Sequence, residues 1–354
     1  MVERPDMRAF YAWTSIPGYA GFVLTDLKRI WLTFRDWRDG RARRRESIGP
    51  ASLTWNPRGP IYVRAWRHYC VGLLRSELLR RPRAVDLAID EVEATAGTYR
   101  RIGFQYEHTV VRPGGGDSTG APPSRTPLAD GKGVYLARLL HREAHERCDR
   151  VIEYSEINRV HLERAGGFEE HLARTVVLAP LLYPLDTRPR ARRQRMITLF
   201  SDEHSGRRAV FLQEARAAGL PVVNRRRAFA ARVLRRLLRD TRILVNLRRT
   251  NDHHTIEELR ILPALLCGVV VVSEDGPLRE LLPYQQHIVW ASRERLVEAV
   301  RAVDADYPAW RARLIECPDL PAVIARMADD NARNVASMLD GLGSSAPVRC
   351  PPPE

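Results

Sequence analysis

Lysine is nearly missing from this chain: it occurs only at Lys28 and Lys132, although Lys and Arg together number 57 against 43 Asp and Glu. Such a skew toward Arg is what a GC-rich coding bias produces, and it leaves the surplus of +14 unexplained. A surplus of that size points to nucleic acid, an anionic membrane or phosphate-bearing ligands as partners. The densest Arg runs are 41–45, 188–195, 225–227 and 232–239, and a solvated surface accounts for them as readily as a polyanionic partner does. Cysteine is sparse and scattered, at Cys70, Cys148, Cys267, Cys317 and Cys350, with no CxxC or Cys/His spacing. That pattern excludes a zinc ribbon and a disulfide framework. Long apolar runs are also lacking, so no bilayer span is read. The start MVERPDMRAFYAW has no apolar signal-peptide core, and a soluble cytoplasmic protein is the expectation.

At 354 residues, with 44% hydrophobic and 28% charged composition, the chain suits two moderate globular domains. The first half is irregular. FYAWTSIPGY (10–19) reads as a strand and turn, and IYVRAWRHY (61–69) as either a strand or a helix start. VDLAIDEVEATAGTYRR (85–101) and VYLARLLHREAHERC (134–148) have helical spacing. Between them a strand at 101–111 runs into a Gly/Pro/Ser loop, and DRVIEYS (149–155) and TVVLAPLL (175–182) read as buried strands. The Pro- and Arg-rich segment 183–195 is the natural linker. Beyond it, strands at 195–201, 220–224, 242–247, 269–273 and 287–291 alternate with helices at 207–219, 230–240, 255–268 and 293–303. That alternation predicts a parallel sheet covered on both faces, with ligands at the carboxyl ends of its strands. The predicted division is 1–182, a linker at 183–195, a second domain at 196–340 and a disordered tail at 341–354.

The richest stretch is NDHHTIEELRILPALLCGVVVVSED, residues 251–275. Thr255 and Glu258 have the spacing of a capping box, Gly268 that of a helix stop, and Pro263 falls in the helix interior. A strand feeding a short loop and a helix start presents unpaired N–H groups, an anion site suited to a diphosphate. Metal is not the reading for His253 and His254, because adjacent ring positions face different sides of the chain. A second constellation joins Gln105, Glu107 and His108 to the Gly-rich run Gly114 to Gly116, Asp117 and Ser118. The GGGDS run has no P-loop lysine, so it is not read as one.

RILVNLRRTNDHHTIEELRILPALLCGVVVVSED, with HIVWAS after it, resembles the donor half of nucleotide-sugar glycosyltransferases of the GT-B type (glycosyl transferase group 1). The resemblance extends to CDRVIEYSEINRVHL (148–162), VVLAPLLYP (176–184) and LFSDEHSGRRAVFLQEA (199–215), about 200 residues in all. It implies an α/β fold of two Rossmann-like domains facing each other across a cleft, and a nucleoside diphosphate sugar, foremost a UDP-sugar, as donor. It also implies that Arg207 and Arg208 hold the diphosphate, chemistry to which guanidinium forks are suited. Asn246 and Arg248 would end the strand facing the donor, with His254 and Thr255 lying against phosphate or sugar. Glu257, Glu258 and Arg260 would reach ribose and phosphate. Many retaining members carry two glutamates eight positions apart, where this chain has Thr255 and Pro263. The stereochemical outcome is therefore open, and Glu257, Glu258 or Glu274 is left to bind ribose. For an inverting reaction the candidate bases are His108, Glu107 and Asp117.

The leading expectation is a glycosyltransferase acting on a hydroxyl acceptor, with no metal required because Arg and helix N–H groups can hold the diphosphate. Two alternatives stand beside it: a DNA-modifying glycosyltransferase acting on hydroxymethylated bases, and a non-catalytic nucleotide- or nucleic-acid-binding protein of the same fold.

Overall fold

The structure, a computed structural model, describes residues 44–55, 61–89, 99–106, 109–111, 126–127, 134–139, 142–189, 191, 194–200, 206–225, 228, 231–249 and 255–344. The strand expected at 10–19 lies outside these residues, as do Glu107, His108, Asp117, Ser118, His253 and His254.

Strands β1 (Arg44–Ile48), β2 (Ala51–Trp55), β3 (Asp86–Ile89) and β4 (Arg100–Gln105) open the first sheet, with α1 (Ile61–Arg80) crossing between β2 and β3. A small antiparallel sheet follows, with β7 (Val134–Ala137) between β5 (Val110–Val111) and β6 (Thr126–Pro127). After α2 (Arg142–Glu146), β8 (Arg150–Glu153) returns to the first sheet; α3 (Glu156–Ala165) and α4 (Glu169–Arg174) then lead to β9 (Thr175–Val177). The order is β1-β2-β3-β4-β8-β9, parallel from β2 onward, with β1 antiparallel at one edge. Trp66 on α1 anchors this half. It is fully buried, stands edge-on to Phe104 and Tyr154, and donates its indole N–H to the Leu178 carbonyl at 3.2 Å.

The second half is built from β10 (Gln194–Thr198), α5 (Gly206–Ala217), β11 (Val222–Asn224), α6 (Ala231–Arg239), β12 (Thr241–Asn246), α7 (Glu258–Leu266), β13 (Val270–Glu274) and β14 (Ile288–Ala291). Its sheet is wholly parallel in the order β11-β10-β12-β13-β14. The chain starts at β10, steps outward to β11, then reverses past β10 to β12. In such sheets the crevice at the reversal, outside the carboxyl ends of the strands, is where ligands sit. Val270, Val271 and Val272 run through the centre fully buried, as a strand covered on both faces requires. Gly268 adopts φ +68°, and the Val269 N–H closes α7 on the Ala264 carbonyl at 3.1 Å. The α/β class and the two Rossmann-like sheets are those that the sequence led us to expect.

Helices α8 (Leu296–Ala305), α9 (Tyr307–Leu314) and α10 (Asp319–Ser344) complete the fold. The last helix serves both cores. Leu320, Val323, Ile324 and Met327, at helical spacing, join the second core; Val335, Met338, Leu339 and Leu342 repeat the pattern and join the first. It therefore continues past 341, where the tail was expected to begin, with Leu342 buried. Between the two apolar patches, Asn331 accepts from the Ala179 N–H and donates to the Ala179 carbonyl and Tyr69 Oη, each at 2.9 Å.

Three local expectations are corrected. Residues 85–101 contain strands β3 and β4, because Leu87 and Ile89 pair with Leu53 and Trp55 of β2 on one side and with Arg100 and Ile102 of β4 on the other. Residues 134–148 begin as β7, where pairing with β5 and β6 overrides helical spacing, and only Arg142–Glu146 is helical. The helix expected from Thr255 starts at Glu258, and Thr255 does not cap it.

Replacing Asn331 with Ala strands the Ala179 N–H, while the Ala179 carbonyl keeps the Leu181 N–H at 2.8 Å. The expected loss is about 1–3 kcal/mol for that unsatisfied donor. Urea unfolding of Asn331→Ala reads it, and an unchanged midpoint would show that water replaces the amide.

Candidate active site

The carboxyl ends of β10, β12 and β13 meet at the reversal point of the second sheet, and the charged residues gather there. Glu274, the last residue of β13, is 4% exposed and accepts on both carboxylate oxygens. Arg207, in the first turn of α5, donates to it at 2.5 and 3.0 Å. Arg248, just beyond β12, donates through its guanidinium at 2.7 Å and its backbone N–H at 3.1 Å. Burial works against the Glu274 charge, but the hydrogen bonds and charges of Arg248 and Arg207 outweigh it and hold the carboxyl below its ordinary range. Two guanidiniums thus share one carboxylate in a fixed arrangement. Their side chains keep 11% and 14% exposure, enough for a ligand to meet them.

Arg208 plays a different part. At 2% exposure it donates to the Leu247 carbonyl at 3.3 and 3.1 Å, lies over the Phe200 ring at 4.6 Å, and stands 3.7 Å from Glu257. It fixes the loop after β12 to α5 and to the start of α7. Glu257 also pairs with Arg260 one turn on. Asn246 points sideways, donating to Ser273 Oγ at 3.1 Å, and that hydroxyl donates to the Glu274 carbonyl at 3.1 Å. Asn224, which the sequence gave no reason to single out, accepts from Thr198 Oγ1 and the Phe200 N–H and donates to the Phe200 carbonyl. It thereby shapes the turn carrying the Phe200 ring that Arg208 faces.

Thr255 and Glu258 link the halves. Thr255 Oγ1 accepts the N–H groups of Thr109 and Val110, both at 3.2 Å. Glu258, expected to complete a capping box, is instead 3% exposed. It accepts from Tyr284 Oη at 2.8 Å. Burial pushes its carboxyl up to about 7, against the Ser155 and Tyr284 hydroxyls that favour its charged form, and Glu156 adds to the rise. Glu153, at the end of β8, is its counterpart in the first half. One oxygen accepts from the Tyr154 N–H (2.7 Å), the Ser155 N–H (3.1 Å) and Asn158 Nδ2 (3.0 Å), while burial raises the group to about 8. Gln105, named from the sequence, is Glu153's neighbour in register and is 1% exposed. The signal for Glu153 was present in EYSEIN, an acid two residues before a Ser that caps α3.

The site therefore unites Arg207, Arg208, Asn246, Arg248, Thr255, Glu257, Glu258, Arg260 and Glu274, while His254 and the candidate bases His108, Glu107 and Asp117 are outside the described residues. Among the described residues no group of three or more His, Cys, Asp or Glu is placed to hold a metal. No helix among them is long and apolar enough to cross a membrane.

No protein-family model matches the chain, and no curated protein sequence does. Among solved structures it is similar to a mutant of S. aureus TarM in complex with fondaparinux, alpha-GlcNAc-glycerol and UDP, at 9% identity and TM-score 0.45, over 78% of this chain and 59% of that one. The chain thus spans less than two thirds of that relative's length. It is also similar to Anabaena HepE in complex with UDP-glucose (11% identity, TM-score 0.40, 79% and 77% covered). A third is WaaG, a glycosyltransferase involved in lipopolysaccharide biosynthesis (14% identity, TM-score 0.34, 80% of each chain). Scores below 0.5 carry no argument about chemistry, so function has to be read from the residues themselves.

The buried acids and histidines give the stability a definite pH dependence. Glu153 has a folded pKa of about 8 against an ordinary 4.5, so its contribution is fully present below 4.5 and is lost as pH rises through 8. His161 and His171, pushed down by burial to about 4 from 6.5, act oppositely: they destabilise the fold as pH falls from 6.5 toward 4. Glu153→Gln keeps the accepting oxygen and removes the titration. Its melting temperature is expected to exceed wild type at pH 9 and to match it near pH 4.5. Parallel curves for the two proteins would refute this assignment of the proton.

Proposed function

We propose that this chain is a glycosyltransferase moving a sugar from a nucleoside diphosphate sugar to a hydroxyl acceptor, within the α/β architecture described. The observation that carries the reading is the Arg207–Glu274–Arg248 arrangement at the strand reversal of the second sheet. Cleaving a sugar–diphosphate bond leaves negative charge on the departing phosphate, and cations already held in place stabilise it without reorganising. Glu274 holds them by taking up both guanidiniums before a ligand arrives. The amino end of α7 adds the positive end of its dipole, its Glu258 and Arg260 N–H groups being taken by the Ile256 and Glu257 carbonyls, and His254 is positioned in sequence to reach phosphate or sugar. Of the three carboxylates considered for ribose, Glu257 is the least buried and is the choice, although it too pairs with two arginines, Arg208 and Arg260. The donor implied by the sequence resemblance is a UDP-sugar. If the reaction inverts, His108, Glu107 or Asp117 takes the acceptor proton. Guanidiniums supply the charge that a divalent ion otherwise would, so transfer proceeds without one.

Non-catalytic nucleotide binding is the second reading, favoured by Pro263 inside α7 where many retaining enzymes of the resembled family carry a glutamate. Both readings predict nucleotide binding, and only the first predicts turnover. A polyanionic acceptor, DNA with hydroxymethylated bases in particular, is the sharper version of the first. Transfer of labelled sugar to such DNA, with binding that falls steeply as salt rises, would distinguish it from neutral saccharide acceptors.

UDP is expected to raise the melting temperature of the wild-type protein, as a ligand bound only by the native state does. Arg207→Ala and Arg248→Ala each remove charge-assisted hydrogen bonds, and about 10- to 100-fold weaker UDP binding is expected by calorimetry. Transfer should persist in excess chelator. Unaltered affinity in both variants would move the diphosphate elsewhere, and an absolute metal requirement would overturn the metal-free mechanism.

A further inference from the structure

The fork at Glu274 does not involve Glu258, although Glu258 occupies the first turn of the same helix whose amino end faces the strand reversal. It is 3% exposed, and its Oε1 has no hydrogen-bond partner among the described residues. Around it stand Ser155 from the first half and Tyr284 from the second; the Tyr284 hydroxyl donates to it and the Ser155 hydroxyl favours its charged form. Its own helix brings Glu257 and Arg260; α5 brings Arg208, which pairs with Glu257. Glu153, Tyr154 and Glu156 approach from β8 and α3, Tyr69 lies on α1 where the two cores meet, and Glu274 ends the adjoining β13. No cation among these donates to Glu258 itself. A carboxylate in the first turn is stabilised by the helix dipole, and once charged it opposes any other anion drawn to the same end.

We propose that Glu258 is a proton-linked positioning residue for the donor site: neutral, it leaves the amino end of α7 positive for a diphosphate, and ionised it cancels that end and weakens donor binding. The proposal rests on the diphosphate reading given above. Glu258 does not touch the donor; it acts through the dipole of the helix it opens. The burial that raises its carboxyl toward 7 places the change within the neutral range. Coupling runs both ways, so a bound diphosphate also favours the protonated form. Glu153 reinforces the arrangement from the other side of the seam, because Glu258's charge is one of the influences that raise it.

The test is calorimetric titration of UDP at pH 6.5 and pH 8.5 into wild type, Glu258→Gln and Tyr284→Phe. Comparing variants at the same pH cancels the ionisation of UDP itself. Wild type is expected to lose about three- to tenfold in affinity relative to Glu258→Gln between the two pH values. Tyr284→Phe removes a hydrogen bond that favours the charged carboxylate, so the wild-type loss should move to higher pH without disappearing. It also keeps the test open should the Gln variant fold poorly. Parallel pH curves for wild type and Glu258→Gln, with UDP bound by both, overturn this proposal and leave the site reading intact. No UDP binding at either pH overturns both.

Discussion

Four consecutive residues, Thr255 to Glu258, carry the contacts on which the two-part architecture and its site depend. Thr255 takes two backbone N–H groups from the first half, Glu257 holds Arg208 and Arg260, and Glu258 is gripped by Ser155 and Tyr284 from opposite sides of the seam. All four are buried. Its three polar members keep their place because each gains a partner, although one Glu258 oxygen has none among the described residues. The seam between the halves and the start of α7 are thus one structure.

The positive surplus looks different once the arginines are placed. Arg311 is buried and donates to the Gly268 and Thr187 carbonyls, Arg208 to that of Leu247, and Arg195 pairs with Asp304. Arg242 lies 4.2 Å from the centre of the Tyr307 ring and Arg313 3.9 Å from that of Trp310. Guanidinium is planar, weakly hydrated and rich in donors, so it can serve as a structural joint where a lysine ammonium would not. The abundance of Arg therefore has an architectural explanation for part of its number. This reduces the force of net charge as an argument for a polyanionic acceptor.

The second half was legible in the sequence almost strand by strand, because its helices and strands alternate with short connections and its strands are runs such as Val270 to Val272 that only a doubly covered sheet can hide. The first half was less so. There β3 is a four-residue strand, and β7 shares its sequence with a helical pattern that non-local pairing overrides. At the site, the residue types were recognised but several partners were not. Local spacing suggested that Glu258 caps its helix with Thr255; the structure instead gives each a partner more than 20 positions away. A capping box is a statement about four residues, and tertiary contacts decide between it and its competitors. Asn224 and Tyr284 carry no local signal at all, since their work is defined only by what the fold brings beside them.

Glu274 shows how a change of partner changes the meaning of a residue. As an isolated carboxylate after a strand, it was a candidate to accept hydrogen bonds from a ribose. With both oxygens occupied by Arg207 and Arg248, it has no such capacity left, and its effect is instead to lower the electrostatic cost of holding two cations together. Without it, two adjacent guanidiniums would repel and turn toward solvent. With it, they remain at the strand reversal in a fixed orientation. Such a group attracts an anion more strongly than a flexible cation pair does, because the ordering has been accomplished in the fold. On the proposed reading, a diphosphate would compete with Glu274 for the same donors.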